Sequence, residues 1–155
     1  MAFAVIKVLM KDVKDMDCLA EGLAQEGVGA DDIVGVAAKT EGNGGVNDFG
    51  RVLVDHLLRQ FFVNQGSRSV EEAMGVPIAL SGGCPGVIAP HLNVFVRVDD
   101  PNPSDELRLS MGQAISEPIF PEEIGRPEGV EKIAEGVKKA MADSGIEDPK
   151  DVHYV

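Results

Sequence analysis

Apolar and polar positions alternate along this chain in two rhythms, and the switches between them mark its elements. Residues 3–10 are rich in Val, Ile and Phe and predict a strand. Residues 17–25 carry Leu19 and Leu23 four apart, the spacing of a short helix, which Gly27 and Gly29 end. Residues 32–38 are apolar almost throughout and predict a buried strand. A glycine-rich loop, KTEGNGGV, follows at 39–46. Asn47 or Asp48 is placed to cap the next helix, which runs to about Val63. On it Phe49, Leu53, Leu57 and Phe61 form one stripe, with Val54, Leu58 and Phe62 beside it. A short helix is expected over 69–74, with Ser69 and Glu72 spaced as a capping box. A third strand, 76–80, leads into a second glycine-rich loop, SGGCPGVIAPH at 81–91, and a fourth strand occupies 92–98.

The pattern then breaks. Residues 99–105 (DDPNPSD) hold two prolines and no large apolar side chain, as a linker does. Beyond it a strand is expected over 107–115, a turn or short helix over 121–124, an amphipathic helix over 129–144 and the start of a strand over 151–155. This order repeats the opening of the chain. Leu23-Ala24, Gly27-Val28 and Asp32-Ile33-Val34 are answered by Met141-Ala142, Gly145-Ile146 and Asp151-Val152-His153, 118 to 119 residues later. Any two strand–helix–strand units share such features, so the match alone leaves a true repeat undecided. If it is one, the counterpart of Lys39 falls near position 158. The expected organisation is then a first unit at 1–98, a linker at 99–105 and the beginning of a second unit at 106–155. The class is α+β (α/β), with four strands in the first unit and an opening strand–helix–strand in the second.

Composition narrows the partners. The chain has 155 residues, of which 26 are acidic and 14 basic, a net charge of -12. Nucleic acid and anionic membrane surfaces both ask for a basic face and are not expected partners. No apolar run approaches the roughly 18 residues of a membrane-spanning helix. The first ten residues lack a basic leader and a small-residue cleavage site, which predicts a cytoplasmic protein. Cys18 and Cys84 form no CxxC pair and read as reduced thiols. Glycine is in excess, 18 residues, and six of them lie in the two loops.

The loops carry the candidate chemistry. Each follows a predicted strand, and glycine there lets backbone amides face a ligand with no Cβ in the way. Neither loop fits a phosphate-binding pattern: Asn47 stands where GxGxxG needs its third glycine, and GxxxxGK[ST] is absent. Ser81 misses the GxSxG elbow because Ala79 replaces its first glycine, and Pro85, Gly86 and Pro90 oppose the helix that elbow requires. His56, His91 and His153 have no metal-binding spacing, so no metal or cofactor is expected. His56 reads as structural and His91 as a residue that orients the second loop. What remains is Lys39 and Ser81, each at a strand end. A lysine held away from water can act as a base, and a serine beside it as a nucleophile. The amides of Gly82 and Gly83 can then face an oxyanion. The plainer alternative is a surface lysine and a turn serine. Arg51, in the first turn of the long helix near Glu41, suits a ligand with two acceptor lone pairs; its alternative is an ion pair with Asp48 or Asp55.

KTEGNGGVNDFGR at 39–51, SGGCPGVIAPH at 81–91 and FPEEIGR at 120–126 together resemble the ring-opening amidohydrolases, the family of cyanuric acid hydrolase and barbiturase. The resemblance covers essentially the whole chain. It implies three similar units about a pseudo-threefold axis, each a four-stranded sheet with helices on one face, each giving one Lys and one Ser to a shared pocket. It implies a small cyclic imide or amide as substrate, cyanuric acid or barbiturate. One serine, activated by its lysine, attacks a ring carbonyl, a ring C–N bond breaks, and the opened product loses CO2. In the family that pair belongs to the second unit. Lys39, Arg51, Ser81 and Gly82 are then the substrate-binding set of the first unit, and this chain by itself is expected to be inactive. The family's structural metal belongs to the third unit, outside this chain. The family loop SGGTEG is altered here to Cys84 and Pro85, which weakens a choice between the two rings; no base is placed to make Cys84 a nucleophile. Homo-oligomerisation, or association with the missing units, is expected, and a non-catalytic binding or assembly module is the alternative function.

Overall fold

The structure is a computed structural model and describes residues 2–83, 88–99 and 109–155. Its contacts divide the chain into two units, Met1–Asp105 and Glu106–Val155.

In the first unit four strands form one mixed sheet: β1 (Ala2–Leu9), β2 (Ile33–Lys39), β3 (Ile78–Ser81) and β4 (His91–Val98), in the order β1-β4-β2-β3. β4 runs antiparallel to both β1 and β2, while β2 and β3 are parallel. A parallel pair needs a crossover, supplied here by helices α2 (Phe49–Gln65) and α3 (Val70–Gly75). Helix α1 (Asp17–Gln25) connects β1 to β2.

Strand alternation sorts the side chains. Ile6 and Val8 pair with Val94 and Leu92, which in turn pair with Val36 and Ala38, so all lie on one face of the sheet. That face forms the core with Leu19 and Leu23 of α1, Val54, Leu58, Phe61 and Phe62 of α2, and Ala73 of α3. The three helices therefore cover one face, as the resemblance implies. The stripe on α2 is a correction: Val54, Leu58, Phe61 and Phe62 are buried, whereas Phe49 is 75% exposed and Leu53 also faces out. Phe49 sits in the first turn with its side chain exposed, so spacing alone does not tell which positions of the stripe are buried.

Local chemistry sets the ends. The Asp48 side chain accepts from the Gly50 amide and starts α2. Ser69 and Glu72 form the reciprocal box that starts α3. β3 begins at Ile78, two residues later than its apolar run, because Val76 ends α3 and Pro77 has no N–H for the ladder.

The second unit holds one long helix, α4 (Pro127–Ser144), preceded by a 3-10 turn at Pro121–Glu123 and followed by another at Pro149–Asp151. Pro127 takes the first helical position, where no N–H is needed, so the helix starts two residues before the apolar pattern. Two strand expectations fail here. Residues 109–115, the described part of the run 107–115, form no strand, and 152–155 continue without one. A strand's amides and carbonyls need a neighbouring strand, and the described residues of this unit include none. The segment before α4 bonds to the helix end instead: Ser110 Oγ donates to the Ser144 carbonyl at 2.8 Å, and the Gln113 amide to Asp143 Oδ2 at 3.0 Å.

Candidate functional site

The topology brings the two glycine-rich loops together. β2 and β3 are parallel, so both end on the same edge of the sheet, and their register pairs Lys39 with Ser81. Lys39 is also paired with His91 at the start of β4. These three residues point to the face opposite the helices, one position out of phase with Ala38, Leu80 and Leu92. Across that short distance Lys39 Nζ lies 3.0 Å from Ser81 Oγ and donates to the Gly82 carbonyl at 3.1 Å. Lys39 is half-buried and Ser81 exposed.

Neighbouring bonds hold this pair in place. The amide of the fully buried Thr40 donates to the Ser81 carbonyl at 2.9 Å, which extends the β2–β3 ladder past the strand ends. His91 Nδ1 lies 2.8 Å from the Ala89 carbonyl. A carbonyl only accepts, so Nδ1 carries the proton, and the ring fixes the backbone leading into β4. This is the orienting part expected of His91.

The first loop is tied to α2. Asp48 is buried, and its carboxylate accepts from the amides of Gly44 at 2.8 Å and Gly50 at 3.1 Å. Arg51 Nε lies 3.9 Å from the same carboxylate, and Arg51 Nη2 donates to the Gly45 carbonyl at 2.6 Å. Of the two ion-pair alternatives for Arg51, Asp48 is therefore the neighbour; Asp55 is engaged by Arg59 at 3.2 Å. The second loop packs on the first. Gly83 has φ +74°, a left-handed conformation that suits glycine, and faces the backbone of Gly42, Asn43 and Gly44. A Cβ on Gly82 would collide with the Asp48 carboxylate.

Lys39, Arg51, Ser81 and Gly82 thus share one end of the sheet. Glu41 is exposed, and its carbonyl, not its carboxylate, meets the start of α2 at Gly50. His56 lies exposed on α2, and His153 belongs to the second unit. Cys84 and Pro85 lie outside the described residues. Cys18 lies in the first turn of α1, and burial, followed by the charge of Asp15, pushes its thiol up to about 11. Among the described residues no group of three or more His, Cys, Asp or Glu is arranged to hold a metal ion, and no helix is long and apolar enough to cross a membrane. Sequence reasoning treated Asp48 as a helix cap and passed over Thr40. The only available signal was their place within KTEGNGGVND, since burial of a polar side chain cannot be read from its neighbours.

The chain is similar to known proteins across its length. The sequence profile of the amidohydrolase ring-opening proteins matches residues 4–155. Barbiturase 2 of Nocardioides sp. is 46% identical over 153 residues, covering 97% of this chain and 41% of the relative. A cyanuric acid amidohydrolase of Bradyrhizobium diazoefficiens is 39% identical over 155 residues, covering 97% and 42%. The crystal structure of a cyanuric acid hydrolase from A. caulinodans superposes with a TM-score of 0.81 at 32% identity, covering 99% of this chain and 42% of that one. The chain thus spans about two fifths of the length of the relatives it matches.

Proposed function

Because the chain belongs to the ring-opening amidohydrolase family, we propose that it binds a small cyclic imide at the end of its sheet and contributes to hydrolysis of a ring amide bond. Lys39, Arg51, Ser81 and Gly82 are the binding groups, and the nucleophile lies elsewhere. Cyanuric acid and barbiturate are the candidate substrates, from the names of the relatives. The observation that carries this reading is the 3.0 Å contact between Lys39 Nζ and Ser81 Oγ beside two packed glycine loops.

The bonding favours a clamp over an attacking group. Lys39 Nζ donates to the Gly82 carbonyl, which can only accept, and lies against Ser81 Oγ. With the lysine donating to Oγ as well, the serine hydroxyl hydrogen is free to turn toward a ligand carbonyl. An imide presents such carbonyls flanking an N–H, and two cationic donors with a hydroxyl match that pattern of acceptors.

Calorimetry with cyanuric acid and with barbiturate on the 155-residue chain tests this reading. Binding of one of them is expected, weakened roughly tenfold or more by Arg51→Met and by Ser81→Ala, with no turnover. Steady hydrolysis abolished by Ser81→Ala would place the nucleophile here and overturn the assignment of roles.

A second reading has its own support. The sheet face opposite the helices leaves Val5 and Leu9 exposed, and α4 leaves Val130 and Ile133 exposed. Such surface favours association, with further copies or with separate units of the kind the relatives' remaining length would hold. The chain would then act as an assembly module. A monomer at all concentrations in sedimentation measurements would remove this reading and leave the first intact.

A further inference from the structure

Among the described residues Asp48 is the only charged side chain that is buried, with 1% of its surface exposed. A buried carboxylate is retained only where several donors hold it. Starting a helix needs one of its bonds, the one from the Gly50 amide to Oδ1. The other oxygen does something else. Oδ2 turns into the space between the two glycine loops, accepts from the Gly44 amide at 2.8 Å and lies 3.9 Å from Arg51 Nε. A Cβ built on Gly42 or on Gly82 would land on this carboxyl group. The carboxylate is therefore seated directly against both loops, and one backbone step separates it from the carbonyl that Lys39 holds.

We propose that Asp48 is the positioning residue of the candidate site. It pins the first loop to the second, orients Arg51, and so sets the spacing between the guanidinium and the Lys39–Ser81 pair. The ligand side of this inference rests on the imide-binding reading above; the geometry does not. A helix cap and a positioning carboxylate differ in a measurable way. Serine is as good a cap as aspartate, but it has one oxygen and no charge, so it cannot also hold Gly44 and face Arg51. Asparagine keeps the shape and turns an NH2 group toward donors.

The experiment is NMR on the 155-residue chain carrying Asp48→Ser or Asp48→Asn, with calorimetry against barbiturate and cyanuric acid. In both variants the Gly44 amide is expected to exchange roughly tenfold faster and the Arg51 Nε–H resonance to move, while the β4 amides keep their protection. Imide affinity is expected to fall by a similar factor. Full retention of the Gly44 exchange rate and of the Arg51 resonance in Asp48→Ser would reduce the residue to a cap and overturn the proposal. Should the wild-type chain bind neither imide, the functional reading fails, and the Gly44 and Arg51 signals still decide the part played by Asp48. Should the Asp48 variants not fold, Gly82→Ala probes the same contact from the opposite loop. A displaced Arg51 resonance is expected there, and an unmoved one overturns the proposal.

Discussion

The same corner occurs twice in this chain, and it ends differently each time. At the end of α1 the Gly27 amide bonds to the Ala24 carbonyl and the Val28 amide to Leu23. At the end of α4 the Gly145 amide bonds to Ala142 and the Ile146 amide to Met141. Both glycines are left-handed, at φ +69° and +73°, and a 3-10 turn follows each, Ala30–Asp32 and Pro149–Asp151. Both chains then leave the turn in extended conformation, at Ile33 and at Val152. Ile33 opens β2, which lies between β4 and β3. Val152 opens nothing. The local code is the same in both places, and the difference is whether the described residues offer a neighbouring strand to take the backbone hydrogen bonds.

Burial follows from that difference, and the contrast can be broken most directly there. Phe62 is fully buried beneath the sheet of the first unit. Phe62→Ala is expected to cost about 3–5 kcal/mol, read as a loss of opening free energy at the Val94 and Val96 amides in native-state hydrogen exchange. In the second unit Gly129 is the only buried residue of α4, and Ile133 is 50% exposed. Ile133→Ala is expected to change the opening of α4 amides by less than about 1 kcal/mol. Similar losses in the two units would mean that α4 is supported by burial comparable to the first core.

The legibility of the sequence divides along the same line. Helices were readable because their signals are local: Ser69 with Glu72, Pro127 at a first turn, Gly27 and Gly145 past a last one. The four strands of the first unit were readable because each apolar run meets a partner. The runs after residue 106, LRLSMGQAI and DVHYV, carry apolar residues of the same kinds among more polar ones, and the pattern could not tell that the described part of that unit offers them no ladder. At the site, the strand ends and loops identified Lys39, Ser81 and Gly82 as candidates, but their approach depends on β2 and β3 being parallel and in register, a property of topology. The buried state of Asp48 was invisible for a similar reason, since its second oxygen meets residues from two loops, one of them more than thirty positions away.

A smaller effect sharpens the claim that the two corners share one local structure. Nothing lies within 4 Å of a Cβ built on Gly27 or Gly145, so alanine at either position meets only the backbone penalty of the left-handed region. Gly27→Ala and Gly145→Ala are each expected to destabilise their helix end by about 1–2 kcal/mol, with the two values alike despite the different surroundings. A cost at Gly27 well above that at Gly145 would show that the sheet beyond the first corner enforces its conformation.

The smallest effect concerns how each unit holds the turn before its helix. In the first, Glu72 accepts from the Ser69 amide at 2.7 Å, and this backbone bond, reinforced by the Ser69 hydroxyl, holds its carboxyl below the usual glutamate range. In the second, Glu123 is held below that range chiefly by the side chain of Lys132 at 2.7 Å and then by the Phe120 amide. A depressed carboxyl pKa stabilises the folded form fully above the unfolded value, near 4.5, and the contribution is lost as pH falls through the lower folded value. Both turns therefore weaken in acid below about pH 4.5, one through backbone and the other through a salt bridge. Lys132→Met is expected to move the Glu123 midpoint upward toward 4.5 while leaving that of Glu72 in place, followed by carboxyl NMR across the acid range. The Phe120 amide remains, so the midpoint should stop short of the unfolded value. An unmoved Glu123 would mean that backbone bonding fixes the second turn as it does the first, and that distinction between the two units would be gone.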